Sequence, residues 1–469
     1  MNTVSSDESP LVERLDAAER RIRELEKELE QERGRSWQAQ LRLAAKQREV
    51  TDIHRSRAWN LVRIFRSLKY RTVDPLLGLF GVAWPRRSAA SSEIAHTPGP
   101  RAAHAGVHDV VCLSTCDWDD RFQRPQQLMG RFAEAGHRVF YVSQRFRENG
   151  PLWAIAEKRD GLYEVTLRGP QLNVYAQGLG EHDCRQLFDA LDALCGDVSI
   201  GAAAMFVQLP FWWPLARAMR DRFSWPLLYD CMDFHSGFST VRKAMVAQEE
   251  ELVREADVVI VTSGVLEQRA LRTRRDVLVL RNACDFEHFA RAKRSAQNIR
   301  PVIGYFGAIA DWFDSALVAD LAARRPDWDF LLIGSTYNAD LSRLAHLPNV
   351  SLPGEESYES LPEWLARFDV AIIPFKRTPL TEATNPVKVY EMLAAATPVV
   401  AVPIPEVAAL APLVRLASTA EDFEREIVAA LAHDGESADA RREFARGETW
   451  RHRYETLHAA TAAALRARS

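Results

Sequence analysis

The stretch Asn385-Pro-Val-Lys-Val-Tyr-Glu-Met-Leu-Ala-Ala-Ala-Thr-Pro-Val-Val400 predicts a short helix followed by a buried strand. Asn385 is a good helix N-cap, and Pro386 fits the first helical position, where no backbone N–H is needed. The free N–H groups and the helix dipole make such an N-terminus an anion site. Lys388 adds a full charge there, and Glu391 follows on the same face. This pair suits a nucleotide diphosphate and its ribose, although an ordinary capped helix with a surface Lys–Glu pair has the same pattern.

The composition is typical of a soluble globular protein. The chain has 469 residues, enough for two or three domains, with 47% hydrophobic and 26% charged residues. A net charge of −4 argues against a nucleic-acid partner. Six cysteines without zinc-type spacing indicate reduced core thiols. The polar N-terminus is not a signal peptide, and no apolar run reaches 18 residues, so we expect a cytoplasmic protein.

Residues 1–50 are charge-dense and poor in glycine and proline. Apolar residues recur at alternating spacings of four and three for about three heptads, an a/d seam typical of a coiled coil. The seam consists of Leu11, Leu15, Ala18, Ile22, Leu25 and Leu29. We predict a short coiled coil that associates with a second copy through residues 11–29; a lone charged helix is the alternative.

Residues 51–85 form a different segment, a basic amphipathic helix followed by a short apolar run that ends at Trp84. This combination suits the inner-leaflet surface of an anionic membrane and predicts a peripheral protein on its cytoplasmic face. Packing on the rest of the protein would use the same apolar side. Residues 86–107 lack periodicity and are interpreted as a flexible linker.

From residue 108 the chain alternates buried strands and helices, which predicts an α/β protein with two doubly wound, Rossmann-like domains. We assign residues 108–290 to the first domain, 291–440 to the second, and 441–469 to a C-terminal helix that packs back on the first. Two such sheets normally place a ligand cleft between them, at the carboxyl ends of their strands. Finer expectations are a pair of short strands at 162–167 and 172–176, and a helix near 338–346.

Several segments of the chain form recognisable motifs. Four of them are residues 251–263, 280–289, 349–375 and 385–400, and two more are 118–128 and 229–233. The first four occur in the order found in nucleotide-sugar glycosyltransferases of the GT-B fold. The chain resembles glycosyltransferase family 4 over about residues 108–460, and the coiled coil lies outside the resemblance. The other two segments resemble the bacterial subgroup that makes exopolysaccharide or teichuronic-acid-type polymers.

The resemblance implies a donor site with some departures from the family. Glu391 matches the second of the family's two glutamates, whereas the first position is Ala383, with Glu382 one residue early. The family's arginine and lysine after the first strand of the second domain are absent. Lys388 is the natural replacement, as in the related xanthan-type glucuronosyltransferases. Gly307 would let the backbone approach the phosphates.

The first domain supplies the candidate catalytic and acceptor-binding residues. Asp233 follows a buried strand and is the candidate general base if the enzyme inverts; if it retains, Asp233 would stabilise the oxocarbenium-like state or position the acceptor. A helix cap is the structural alternative. His235 is a second candidate, in the region where the family often has a histidine. Arg124, Gln126 and Gln127 are expected to face the acceptor. We expect no metal ion or other cofactor.

The predicted function is that of a glycosyltransferase of hexosyltransferase type. It would move a sugar from a nucleotide diphosphate-sugar, with UDP as the expected nucleotide, to a growing cell-surface polysaccharide or lipid-linked saccharide. A sugar-nucleotide epimerase on the same fold and a non-catalytic scaffold protein remain alternatives. A dinucleotide enzyme is disfavoured because no Gly-x-Gly-x-x-Gly follows the first strand of either domain.

Overall fold

The computed structural model describes residues 100–101, 106–175, 177–238, 243–292, 298–336, 339–432 and 437–468. The predicted coiled coil, the basic amphipathic segment and most of the predicted linker lie outside these residues. None of the helices in the described ranges is both long and apolar enough to cross a membrane.

The first domain is built on an eight-stranded sheet with the order β3-β4-β2-β1-β5-β6-β7-β8. All neighbouring strands are parallel except β3 and β4. The central strands are apolar and buried on both faces, as parallel strands covered by helices require. The strands are β1 (Asp109–Leu113), β2 (Val139–Val142), β3 (Trp153–Arg159), β4 (Leu162–Leu167), β5 (Ala203–Val207), β6 (Leu227–Cys231), β7 (Val258–Val261) and β8 (Leu278–Val279).

Helices cover both faces of this sheet and bury two separate hydrophobic clusters against it. They are α1 (Arg124–Glu134), α2 (Glu181–Asp197), α3 (Trp213–Phe223), α4 (Lys243–Glu255) and α5 (Gly264–Ala270). The short helix α6 (Phe286–Phe289) follows β8 and packs into the core of the second domain.

The partner of β4 is not the predicted one. Residues 172–175 form no strand; β4 pairs instead with the preceding edge strand β3 in an antiparallel hairpin. The two strands are joined at Asp160-Gly161, where Gly161 has φ +72°. An Asp-Gly pair between two strands is a strong local hairpin signal, because glycine adopts positive φ without strain. The half-exposed β3 lacked the apolar pattern on which the strand prediction relied.

The second domain has a six-stranded, fully parallel sheet with the order β11-β10-β9-β12-β13-β14. Its strands are β9 (Val302–Phe306), β10 (Asp329–Ile333), β11 (Val350–Gly354), β12 (Val370–Ile373), β13 (Val399–Ala401) and β14 (Val414–Leu416). Its helices are α7 (Ser315–Arg324), α8 (Leu361–Leu365), α9 (Pro379–Glu382), α10 (Val387–Ala394), α11 (Pro405–Ala408) and α12 (Ala420–Ala432).

The helix expected near 338–346 is wrong for the part that the structure describes. Residues 339–349 form isolated turns before the edge strand β11. Leu344 is fully buried there. Pro348 disfavours helical backbone at the residue before it, which leaves room for only short turns.

The chain ends with two helices that pack on different domains. Helix α13 (Ser437–Gly447) packs on α10, and α14 (Trp450–Arg468) packs on α1 of the first domain. Tyr454 meets Phe132 edge-on with ring centroids 5.0 Å apart. The chain therefore returns to the first domain after α13, so the predicted boundary at 440/441 falls inside that helix.

Candidate functional site

Helix α10 opens one residue later than predicted. Pro386 is the N-cap, with extended backbone, and the Asn385 side chain caps nothing. This corrects the predicted capping role of Asn385. Lys388 still lies in the first turn and Glu391 in the second, so the pair shares one face of the helix as the sequence indicates.

Asn385 instead joins the two domains. Its Oδ1 accepts a hydrogen bond from the backbone N–H of Asn282 at 2.8 Å, and its carbonyl accepts one from the Asn282 side chain at 2.6 Å. Its Nδ2 donates to the hydroxyl of Tyr390 at 3.0 Å and to Glu406 Oε2 at 3.1 Å. Asn385 is 2% exposed. Buried polar groups of this kind depend on having every partner in place.

Asn385→Ala is therefore expected to destabilise the protein. The substitution leaves the buried Asn282 N–H without an acceptor, which costs about 1–3 kcal/mol. The free energy of unfolding in urea measures this. Asn385→Asp is the discriminating control, because Asp is as good an N-cap as Asn but would place a second carboxylate beside Glu406. Equal stability of the Asp variant and the wild type would contradict the bridging role.

Lys388 lies among aromatic groups and without a carboxylate ion pair in the described part of the chain. Its Nζ donates to the Tyr305 hydroxyl at 2.7 Å. The ammonium also lies 4.3 Å from the centroid of the Tyr305 ring and 5.1 Å from that of Phe375. Loss of surrounding water lowers the pKa of Lys388 to about 7, although Glu391 opposes the shift. A cation that lacks a protein counterion is available to an anionic ligand.

Glu391 is the complementary group one turn along. It is 6% exposed, and burial raises its pKa to about 8, with the Lys388 charge acting against the shift. The structure shows no hydrogen bond to this carboxyl group from the residues it describes. A buried carboxyl group without a protein partner is unfavourable unless a ligand supplies one.

Two glycines with positive φ lie in the turns after β9 and β10, next to Lys388. Gly307 follows β9 with φ +123°, and a Cβ there would run into the Lys388 ammonium. Gly334 follows β10 with φ +150°, and its Cβ would collide with the Gly307 backbone. Both positions therefore require glycine, because their positive φ and their close neighbours exclude a side chain.

Asp233 and His235 follow strand β6, at the carboxyl end of the first sheet. Burial and, to a lesser extent, the nearby Asp230 raise the pKa of Asp233 to about 6, and Arg124 opposes the shift. His235 is 5% exposed and begins a short 3-10 turn. Among the described residues its Nε2 has no hydrogen-bond partner, and burial lowers its pKa to about 4. At neutral pH the Asp233 carboxyl group is thus mostly ionised and the His235 imidazole is uncharged.

The three predicted acceptor-binding residues lie elsewhere than expected. Arg124 is buried and binds Asp230 Oδ1 at 2.8 Å, and Gln126 donates to the carbonyl of Asp117 at 3.3 Å. Gln127 donates to the hydroxyl of Tyr358, across the domain boundary, at 2.9 Å. Their side chains are committed to protein contacts because the first turn of α1 is packed under neighbouring loops. This differs from the predicted acceptor-facing position.

Glu382, predicted to help bind the donor, lies at the end of α9 and is paired with Arg377 at 3.1 Å. It is 40% exposed, whereas the neighbouring Ala383 is fully buried. Of the predicted donor residues, the structure thus brings Gly307 next to Lys388, with Glu391 one helical turn away. Asn385 and Glu382 have protein partners of their own.

Sequence reasoning missed other residues around this pair. Tyr305 and Phe375 contact Lys388, and Tyr358 stacks on His288 with ring centroids 4.6 Å apart. Arg121 of the first domain pairs with Glu355 of the second and contributes to the electrostatic surroundings of Lys388. The motif at residues 118–128 could have pointed to Arg121, whereas aromatic side chains from distant positions leave no periodic signal.

In the described part of the chain, no three or more His, Cys, Asp or Glu side chains group together in a way that could hold a metal ion.

The comparison with protein families agrees with this geometry. Residues 300–433, which include Lys388, Glu391 and Gly307, match the family model described as Glycosyl transferases group 1. This part of the chain is therefore similar to a group 1 glycosyl transferase domain. This domain coincides with the second sheet and its helices, and it confirms the resemblance found in the sequence.

A curated relative matches a longer part of the chain than the family model does. "Putative teichuronic acid biosynthesis glycosyltransferase TuaH" of Bacillus subtilis (strain 168) is 28% identical over 257 residues. The match covers 49% of this chain and 65% of the relative, so it spans slightly less than two thirds of that protein's length.

Solved structures share the architecture of both domains. A sucrose-phosphate synthase from Thermosynechococcus elongatus superposes with a TM-score of 0.61 at 16% identity, covering 75% of this chain and 98% of that one. HepE from Anabaena, solved in complex with UDP, gives 0.55 at 13% identity, covering 76% and 100%. At these identities the likeness shows the fold alone. The predicted GT-B arrangement of two Rossmann-like domains is confirmed.

Proposed function

We propose that this protein is a metal-independent glycosyltransferase that moves a sugar from a nucleotide diphosphate-sugar to a growing cell-surface polysaccharide or lipid-linked saccharide. The group 1 domain supports glycosyl transfer as the class of reaction. The observation that carries the donor assignment is the pair Lys388 and Glu391 on α10. Among the described residues, the partly buried Lys388 has no carboxylate ion pair, and the buried carboxyl group of Glu391 has no hydrogen-bond partner.

Glycosyl transfer breaks the bond between the anomeric carbon and the diphosphate oxygen, and negative charge develops on the departing diphosphate. The Lys388 ammonium and the free N–H groups at the start of α10 would stabilise that charge, which is the largest single contribution in many enzymes. Gly307 would let the phosphates come close to the backbone. Glu391 would bind the ribose hydroxyl groups one turn deeper.

The acceptor hydroxyl must lose its proton as the new bond forms, and Asp233 is our proposed partner for that step. A pKa of about 6 leaves its carboxylate mostly ionised at neutral pH and still basic enough to accept a proton. This role applies to an inverting reaction. In a retaining reaction the same carboxylate would stabilise the positive charge that develops on the sugar.

UDP is the proposed nucleotide because HepE, which has the same fold, was solved with UDP. The polysaccharide acceptor follows the name of the relative TuaH and the motif at residues 118–128. We further propose that the enzyme works on the cytoplasmic face of the membrane, with the basic stretch at 51–85 as its contact and residues 11–29 as its self-association segment. The charge pattern of those segments supports this.

Calorimetric titration of the purified full chain with UDP, GDP and dTDP tests the donor site. We expect one nucleotide to bind and Glu391→Ala to weaken its binding by roughly 10-fold, the effect of losing hydrogen bonds worth about 1–3 kcal/mol. Glu363→Ala, which removes an exposed glutamate from the same domain, is the matched control and should change nothing. Binding of none of the three would overturn the proposal and favour a scaffold. Epimerisation of the donor sugar without any acceptor would favour an epimerase.

A further inference from the structure

The loop between β1 and α1 brings Arg121 of the first domain to the edge of the second. Its Nε donates to Glu355 Oε1 at 2.5 Å, directly after β11. Both side chains are 48% exposed. The structure shows no other partner for the Arg121 guanidinium among the residues it describes, so its two terminal nitrogens are available. An exposed pair of this kind contributes little to stability and is easily exchanged for another partner.

Arg121 is also in electrostatic reach of the proposed donor site. Its charge adds to the lowering of the Lys388 pKa, and it opposes the rise that burial causes in the pKa of the Tyr305 hydroxyl that holds Lys388. Glu355 directly follows Gly354, whose carbonyl accepts a hydrogen bond from the Gly334 N–H at 2.7 Å, and Gly334 lies against the backbone of Gly307. Two cations from different domains therefore lie near the same pair of glycine turns. Like charges brought together in this way repel each other in the empty site and become favourable only when an anion lies between them.

The loop that carries Arg121 is held firmly in place. The backbone N–H of Trp118 donates to Glu164 Oε1 at 2.9 Å. Arg159 lies over the ring of Phe122 at 4.9 Å, and Phe122 in turn packs against Tyr358 of the second domain with ring centroids 5.0 Å apart. Arg121 is thus positioned by its neighbours on both sides, with only its own side chain left to move.

We propose that Arg121 is a second phosphate-binding residue of the donor site. Its guanidinium would move away from Glu355 and bind the diphosphate of the nucleotide-sugar, opposite Lys388. This inference rests on the proposed function. A guanidinium is suited to the role because it can donate two parallel hydrogen bonds to one phosphate. Since Arg121 belongs to the first domain, the diphosphate would be clamped between the two domains rather than held by one.

Two substitutions distinguish this role from that of a simple bridge between the domains, by the direction in which each changes the affinity for UDP. If Arg121 moves to the diphosphate, Arg121→Ala weakens UDP binding by roughly 10-fold. Glu355→Gln then strengthens it a few-fold, because the competing carboxylate is gone. If the pair only holds the domains together, both substitutions change UDP affinity in the same direction.

Calorimetric titration of the full chain with UDP, under low and moderate salt, gives these affinities. Arg131→Ala is the matched control, since Arg131 is a first-domain arginine paired with the surface residue Glu134. Melting temperatures of the variants should equal that of the wild type. Effects of the same sign, or no effect of Arg121→Ala, would overturn the inference, as would unchanged UDP affinity with a raised KM for a phosphorylated acceptor.

Titration of Glu391→Ala in the same series keeps the two proposals apart. If Glu391→Ala weakens UDP binding and Arg121→Ala does not, only the role of Arg121 is lost. If the wild-type protein binds no nucleotide diphosphate, the proposed function and this inference fall together.

Discussion

Lys388→Met is expected to weaken UDP binding by roughly 10- to 100-fold, because a hydrogen bond to a charged group is worth about 1.5–3 kcal/mol. Methionine keeps the apolar stem against Tyr305 and Phe375 and removes only the ammonium, so the fold should survive. If transfer is rate-limiting, the rate should fall further, since loss of one preorganised donor to a developing anion costs roughly 100- to 1000-fold.

The pH dependence of binding makes this prediction sharper. The pKa of Lys388 is about 7 in the free protein, so the cation is present below that pH and is lost above it. A bound diphosphate stabilises the protonated form and raises this pKa. UDP affinity in the wild type should therefore fall by about tenfold per pH unit above 7, until the raised pKa is reached, and binding at pH 8 should take up a proton.

Calorimetry in two buffers of different ionisation enthalpy measures that proton uptake. Lys388→Met should lose both the uptake and the pH dependence, whereas Glu363→Ala should keep them. If Lys388→Met binds UDP as tightly as the wild type does, the assignment of the donor site to α10 is wrong.

Arg124→Met is expected to destabilise the protein by about 3–5 kcal/mol, the usual effect of removing one partner of a buried ion pair. Arg124 and Asp230 are 3% and 2% exposed, and the guanidinium also donates to the carbonyl of Leu280 at 3.0 Å. The substitution leaves the Asp230 carboxylate buried without a counterion. It should also raise the pKa of Asp233, which Arg124 lowers.

Urea denaturation measures the loss, and the double variant Arg124→Met/Asp230→Asn is its control. Removing the stranded charge should restore a large part of the stability, because residues in contact do not contribute independently. Wild-type stability in Arg124→Met, together with a raised KM for the acceptor, would contradict the structural role and return Arg124 to the acceptor site predicted from the sequence.

Part of the fold and of the candidate site could be predicted from the sequence. The alternation of apolar strands and helices was sufficient for the GT-B fold, and the three-residue spacing of Lys388 and Glu391 placed both on one helix face. The pattern failed where the structure depends on partners far along the chain. Asn385 is a residue type that often caps helices, yet its partner is the backbone N–H of Asn282, which lies 103 positions away in the chain.

The sequence by itself determined which segments become buried strands, and it placed Lys388 and Glu391 on one face of helix α10. Periodicity, turn residues and helix capping act over a few residues, and they can be seen in any short stretch. The tertiary structure alone decided that Arg124 belongs to an internal ion pair and that Arg121, three residues earlier, pairs with Glu355 of the second domain. Pairing of charges depends on distance in space, and residues 121 and 355 meet only because two domains fold against each other.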